Sequence, residues 1–201
     1  MLDSKLRPYT DPIVEFIGRG LTERGVGANA VTWTGFGLGL AAAALIVFHF
    51  YWTALLFIFL SRMCDGLDGA VARFRGTTDL GGYLDIVLDF AFYGLIPLGF
   101  VLADPSANGV AGAVLLLTFY INGASFLAFA IMEEKRGTAE AARGSKSLVY
   151  TIGLAEATET YAAFAAFCLF PQHFASIAYI FAAIVAVTTI SRVALAYRTL
   201  R

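Results

Sequence analysis

The chain has 201 residues, 59% of them hydrophobic and only 14% charged, with a formal net charge of −1. Soluble domains average about 25% charged residues, so an ordinary soluble domain and a disordered tail are excluded. The balanced charge excludes the basic excess a nucleic-acid partner requires, and Cys64 and Cys168 both lie in apolar runs, which implies no disulfide framework.

The remaining class is an all-α, polytopic membrane protein. Met1 to Pro12 lacks the early apolar core of a secretory signal, so no cleaved peptide is expected. Residues 12–21 begin at Pro12 and place Ile13, Phe16, Ile17 and Leu21 near one another on a helix. That pattern predicts a short amphipathic helix lying in the membrane interface.

A bilayer span needs about 20 mostly apolar residues. No Asp, Glu, Lys or Arg occurs between Arg24 and Arg62, and only Asp104 between Asp89 and Glu133. None occurs between Glu159 and Arg192, although Pro171-Gln172-His173 interrupts that run. Reading Gly, Pro and polar clusters as breaks predicts six spans, at 30–49, 51–73, 82–103, 108–132, 148–170 and 174–196. The expected layout is one domain over 1–201, with an interfacial segment at 1–28 and a six-helix bundle at 30–196.

The 14 Lys and Arg residues fall at the ends of these spans in a one-sided way. Lys5, Arg7, Arg19 and Arg24 precede the first span, and Arg62, Arg73 and Arg75 belong to the cytoplasmic half of the second or follow it. Lys135, Arg136, Arg143 and Lys146 lie between the fourth and fifth, and Arg192, Arg198 and Arg201 close the chain. The connections near 50, 104 and 172 carry none. By the positive-inside rule both termini are expected in the cytoplasm.

Five acidic residues crowd into positions 65–89. Asp65 and Asp68 are three apart and share a face of the second span; Asp85 and Asp89 are four apart and share a face of the third. Gly76-Thr77-Thr78 reads as the turn between them. Asp65 lies eight residues before Arg73 and Asp89 eight after Gly81, so each sits roughly 12 Å up its helix, and an antiparallel hairpin brings four carboxylates to similar depths. A mid-span Asp costs about 2.5–3.5 kcal/mol on insertion scales, and four would also repel one another. Arg73 alone cannot neutralise them, whereas one or two divalent cations can, and carboxylate oxygens suit Mg²⁺, Ca²⁺ or Mn²⁺. Two metals about 3.5–4 Å apart are the usual clamp for displacement at phosphorus. The alternatives are structural hydrogen bonds between helices and a cation pathway. Gly69 and Gly81 read as space for a ligand near the backbone, Gly82 as a helix-packing position, and Asp79 as the N-cap of the third span.

The arrangement Asp-x2-Asp-Gly-x2-Ala-Arg-x7-Gly-x3-Asp-x3-Asp resembles the signature of the CDP-alcohol phosphatidyltransferase family. Asp65, Asp68, Gly69, Ala72, Arg73, Gly81, Asp85 and Asp89 fill it without departure. The six-span layout and the run Asn29-Ala30-Val31-Thr32 extend the resemblance over nearly the whole chain. It implies a membrane enzyme of phospholipid biosynthesis that moves a substituted phosphate from a CDP-linked donor to an alcohol and releases CMP. Asp65, Asp68, Asp85 and Asp89 would hold two divalent cations, Mg²⁺ or Mn²⁺. Asp89 would take the proton from the acceptor hydroxyl, with Asp85 beside it in the catalytic set. Asp68, Gly69, Ala72 and Gly81 would line the cytidine site, and Arg73 would contact donor phosphate or steady the hairpin. The expected partners are CDP-diacylglycerol or another CDP-alcohol, a polar alcohol acceptor, membrane lipids and, as an assembly, a second copy of the chain. The expected location is a bacterial inner membrane, with the site facing the cytoplasm.

Two other functions stay open at this stage: a soluble CDP-alcohol donor with a lipid acceptor, and a cation transporter, although no internal repeat supports transport. Relatives using glycerol 3-phosphate or serine carry arginines in the cytoplasmic half of span four; here Gly123 to Ala130 has none. Candidate acceptor contacts are Arg143, Lys146 and Arg192, together with Glu156 and Glu159, which are three apart on span five. Carboxylates at that depth usually face a cavity or a partner: either they are structural, paired with Arg143 or Arg192 or protonated by burial, or at least Glu156 stands at the active cavity, which implies a neutral polyol or amino alcohol as acceptor.

Overall fold

A computed structural model of the chain describes residues 3–136 and 157–200, with side chains from residue 11 onward. The described residues form helices α1 (Asp3–Glu23), α2 (Ala28–Val47), α3 (Tyr51–Arg75), α4 (Asp79–Ala103), α5 (Pro105–Lys135), α6 (Ala157–Leu169) and α7 (Phe174–Thr199). A 3₁₀ turn at Pro171–His173 precedes α7, and no strand occurs among the described residues.

The breaks lie where local chemistry demands them. Gly76 ends α3 with φ +99°, a conformation that side chains with a Cβ avoid. Thr78 then caps α4, its hydroxyl accepting the Gly81 N–H at 3.0 Å. This corrects the expectation for Asp79, which is the first residue of the helix and not its cap. At the opposite end Asp104 caps α5, accepting from the Ala107 N–H at 3.0 Å and the Ser106 hydroxyl at 2.7 Å. Those donors, the backbone N–H foremost, hold the Asp104 carboxyl below the usual carboxylate range.

Four segments are long and apolar enough to cross a membrane: Ala28–Val47, Asp79–Ala103, Pro105–Lys135 and Pro171–Thr199. α3 is 25 residues long but carries Arg62, Asp65, Asp68, Arg73 and Arg75, and so is not apolar by composition. The expected fifth span at 148–170 is described only from residue 157, as the 13-residue α6. The N-terminal helix is longer than expected: it runs through Pro12 instead of starting there. It lies along α3, where a Cβ on Gly18 would come within 2.8 Å of the Ala70 Cβ. Ile13 and Phe16 stay exposed.

α2 packs against both α3 and α4, while α5 pairs with α4 and α7, and α6 lies between α3 and α7. Close approach of α2 depends on two small residues. A Cβ on Gly35 would meet the Cys64 Cβ at 2.9 Å, and one on Gly39 would meet the Phe92 ring at 2.5 Å. In a bilayer such contact replaces the hydrophobic drive that lipid does not supply. The half of the bundle away from the aspartates is filled by rings: Phe100 stacks on Phe174 with centroids 4.8 Å apart, and Phe167 meets Phe174 edge-on at 4.8 Å.

The helix ends sort into two groups. Arg75 donates to the Thr22 carbonyl at 3.3 Å, which joins the ends of α1 and α3. Arg136 donates to the Thr199 carbonyl at 3.0 Å and also to that of Leu200, joining the ends of α5 and α7. Because α3–α4 and α4–α5 are successive antiparallel hairpins, these basic ends share one side of the bundle.

Candidate active site

Asp65 and Asp68 project from α3 one turn apart, and Asp85 and Asp89 from α4, and all four line one narrow cleft with Thr32, Gly35, Ser61 and Arg62. The proximity of α2, made possible by Gly35 and Gly39, brings the Thr32 hydroxyl within 2.7 Å of Asp68 Oδ2, to which it donates. Asp68 is buried, whereas Asp85 is exposed at the mouth.

The sequence groups Arg62 with Arg73 and Arg75 as an orienting charge of the second span's cytoplasmic half. The structure instead places it inside the cluster, with its side chain 10% exposed. Its Nη1 lies 3.3 Å from Asp65 Oδ1 and is hydrogen-bonded to Asp89 Oδ1, while Nη2 donates to Ser61 Oγ at 3.2 Å. The guanidinium lies 3.7 Å from the Phe92 ring centroid, and the Tyr161 ring is 5.7 Å away. Part of the mutual repulsion of the four clustered carboxylates is therefore offset by the protein itself. Arg73, the counter-charge considered from sequence, is exposed at the end of α3. Arg62 was legible in principle: it lies three residues before Asp65, the same spacing that puts Asp65 and Asp68 on one face.

The donor set suits hard divalent cations, being carboxylate and hydroxyl oxygens only. As the side chains stand, no three of the described His, Cys, Asp and Glu residues converge on one ion position, and the cleft leaves about 10 Å³, near the room one water needs. The chemistry of the donors fits a cation; the space among them is taken up by Arg62.

The small residues of the signature divide. Gly69 is open toward the Arg73 guanidinium, 3.7 Å from where a Cβ would stand, in keeping with ligand space. Gly81 is tight: a Cβ there would be 3.0 Å from Thr78 Oγ1 and 3.2 Å from Asn29 Oδ1, so it serves the cap and the α2–α4 approach. Gly82 has no neighbour within 4 Å, which overturns its packing role. Ala72 is half-buried on the same turn of α3 as Gly69.

A larger cavity of about 420 Å³ opens beside the cleft, lined mainly by apolar groups of α4, α5 and α7 and reached by Tyr93, one turn beyond Asp89. Arg192 lines it and donates to Asn122 Oδ1 at 3.1 Å; the Thr189 hydroxyl reaches the same oxygen at 3.3 Å. The Tyr93 and Tyr161 hydroxyls lie 3.3 Å apart; Asn122 and Tyr93 are lone polar groups in apolar runs and Tyr161 follows the polar run Thr158-Glu159-Thr160, so nothing in the sequence links the three. Glu159, in the first turn of α6, lines neither the cleft nor this cavity. Glu156, Arg143 and Lys146 lie outside the described residues.

A family model for CDP-alcohol phosphatidyltransferases matches residues 26–196. The chain is 44% identical over 201 residues to the inner membrane protein YnjF of Escherichia coli, covering 100% of this chain and 98% of that one. It is 33% identical over 87 residues to an archaetidylinositol phosphate synthase from Pyrococcus horikoshii, 43% of this chain and 46% of the relative. The fold is similar to that of a phosphatidylinositol phosphate synthase from Mycobacterium tuberculosis solved with CDP-DAG bound, with TM-score 0.69, 20% identity, and 90% and 92% of the two chains covered. The apo form of that enzyme superposes with TM-score 0.58 over 90% and 94%. With its full aspartate signature gathered in one cleft and a family match over most of its length, the chain belongs to the CDP-alcohol phosphatidyltransferase family.

Proposed function

We propose that this protein transfers a phosphatidyl group from CDP-diacylglycerol to the hydroxyl of a polar alcohol, releasing CMP, at the cytoplasmic side of the inner membrane. The observation that carries the reading is the convergence of Asp65, Asp68, Asp85 and Asp89 on one cleft between α3 and α4. The bundle contributes six spans, with α3 and the segment containing α6 completing the four apolar ones.

Divalent cations, Mg²⁺ or Mn²⁺, held by the four aspartates would supply Lewis-acid stabilisation of the charge on the departing nucleotide. Gly69 leaves backbone open next to Asp68, where cytidine binds, with Ala72 on the same turn and Arg73 at the cytoplasmic rim for phosphate. Asp89 accepts the proton of the acceptor hydroxyl. The acceptor oxygen then bonds to phosphorus as the bond from phosphorus to the CMP oxygen breaks. A carboxylate hydrogen-bonded to a guanidinium is a weak base, so this role requires Arg62 to release Asp89. Asp85 is exposed at the mouth, beside the incoming substrates. The acceptor enters from the cavity that Arg192 lines.

The test is CMP release by purified protein in liposomes containing CDP-diacylglycerol, screened across polyols, polyol phosphates and amino alcohols, with Mg²⁺ or Mn²⁺ and with excess chelator. Metal-dependent CMP release with one acceptor class is the expected result. Release only with a soluble CDP-alcohol and diacylglycerol would reverse the donor assignment. Cation uptake without CMP release would replace the enzyme by a transporter.

A further inference from the structure

Arg62 Nη1 occupies the point between Asp65 Oδ1 on α3 and Asp89 Oδ1 on the facing α4. One positively charged atom bridging carboxylates of two helices has the electrostatic role of a bridging cation. Two further contacts hold the head group, with Ser61 Oγ 3.2 Å from Nη2 and the Phe92 ring centroid 3.7 Å beneath, while Nε is buried without a hydrogen-bond partner among the described residues. Those contacts do not involve the aspartates, so the head group keeps a place to rest when the carboxylates are engaged elsewhere. Ser61 is itself fixed, its hydroxyl donating to the Gly35 carbonyl at 2.7 Å.

We propose that Arg62 is the resident counter-ion of the aspartate cluster: it holds Asp65 and Asp89 together when no divalent cation is bound and competes with that cation for them. It is a positioning residue that raises the cation concentration at which the site fills. The competition half of this inference rests on the cation reading proposed above. The counter-ion half rests only on the ion pairs.

The experiment uses the full chain purified in detergent, stripped with chelator and titrated with Mn²⁺ alone, with free Mn²⁺ followed by its electron paramagnetic resonance signal. R62M keeps an apolar stem of similar length and removes the competing charge. It should bind Mn²⁺ at least tenfold more tightly than wild type, and R62K, which retains charge without the two-pronged head, should lie between them. An R62M affinity equal to or weaker than wild type overturns the competition. If R62M does not yield folded protein, R62Q and R62K carry the same titration.

A second arm needs no metal. In chelator, R62M should melt below wild type, and adding D89N should restore at least half of the loss by removing the uncompensated charge. A double variant no better than R62M overturns the counter-ion role. Absence of Mn²⁺ binding by both wild type and R62M would refute the cation reading and the competition with it, while this second arm still decides what Arg62 does to the aspartates.

Discussion

The Thr32–Asp68 bond offers a direct measure of how far α2 organises the aspartate cleft. Thr32 has one hydroxyl hydrogen and two acceptors within reach: Asp68 Oδ2 at 2.7 Å and the Ala28 carbonyl at 3.1 Å. The shorter contact is to the carboxylate, and Asp68 is only 6% exposed, so water does not readily replace the lost donor. Thr32→Val keeps the shape of the side chain and removes the hydroxyl. A hydrogen bond to a charged group contributes about 1.5–3 kcal/mol, and leaving its buried acceptor unpaired costs a similar amount. For a chain of this size about 2–4 °C of Tm accompanies each kcal/mol, which predicts a loss of roughly 3–12 °C. Melting of wild type, T32V and T32S in chelator-containing detergent measures it. T32S retains the hydroxyl and should stay close to wild type. In a D68N background the T32V effect should shrink, because the charged acceptor is gone. If T32V melts with wild type while T32S is destabilised, the stabilisation belongs to methyl packing and the assignment of this bond is wrong.

Asp65→Asn, Asp68→Asn, Asp85→Asn and Asp89→Asn should each remove nearly all CMP release while the protein still elutes as a folded species; retention of full activity by any of them would take that residue out of the cation set. Cysteines placed at 104 and 172, with Cys64 and Cys168 removed, should react with an impermeant reagent from outside intact cells, and labelling only from the cytoplasmic side would invert the orientation. Phe174→Ala should destabilise by about 3–5 kcal/mol, since it empties the stack with Phe100 and Phe167, and a shift in melting much smaller than that would mean the rings repack. Asp104 has its carboxyl held low by the cap, so its contribution is present at neutral pH, above the ordinary carboxylate range, and is lost as pH falls through the depressed value. Asp104→Ala should therefore lower the Tm at neutral pH and converge with wild type in strong acid, as followed by melting across pH.

Much of the molecule was legible from one-dimensional patterns because the bilayer imposes a one-dimensional constraint. A chain that must bury its backbone in hydrocarbon forms helices, and length plus hydropathy marks where they run, within a turn of Ala28–Val47, Asp79–Ala103, Pro105–Lys135 and Phe174–Thr199. Spacings of three and four residues place Asp65 with Asp68 and Asp85 with Asp89, and a short hairpin makes the two pairs face each other, so the grouping of the four carboxylates follows from helical periodicity and the turn, while α2 completes the cleft only in the tertiary structure. The N-cap of α4 is Thr78 and not the adjacent Asp79, because either side chain can accept the first free N–H and only the backbone path selects between them.

Contacts between elements distant in sequence were a different matter. The sequence reading gives Gly81 to ligand space and Gly82 to packing, and the structure reverses them: only Gly81 faces Asn29, since that depends on which side of α4 the α2 helix approaches. Asn122 meets Arg192 across 70 positions, and neither residue's apolar surroundings name the other. Arg62 shows the division most plainly. Its charge and its position three residues before Asp65 are in the sequence, where it counts only as one of the basic residues that orient the chain. Its partnership with Asp89, 27 residues on, with Ser61 and with the Phe92 ring arises only when α3 and α4 close on each other. Sequence determined where the long apolar helices run and which helix faces are acidic, because periodicity is a local property. Tertiary packing alone decided which charge neutralises those faces, because ion pairing depends on distance in space.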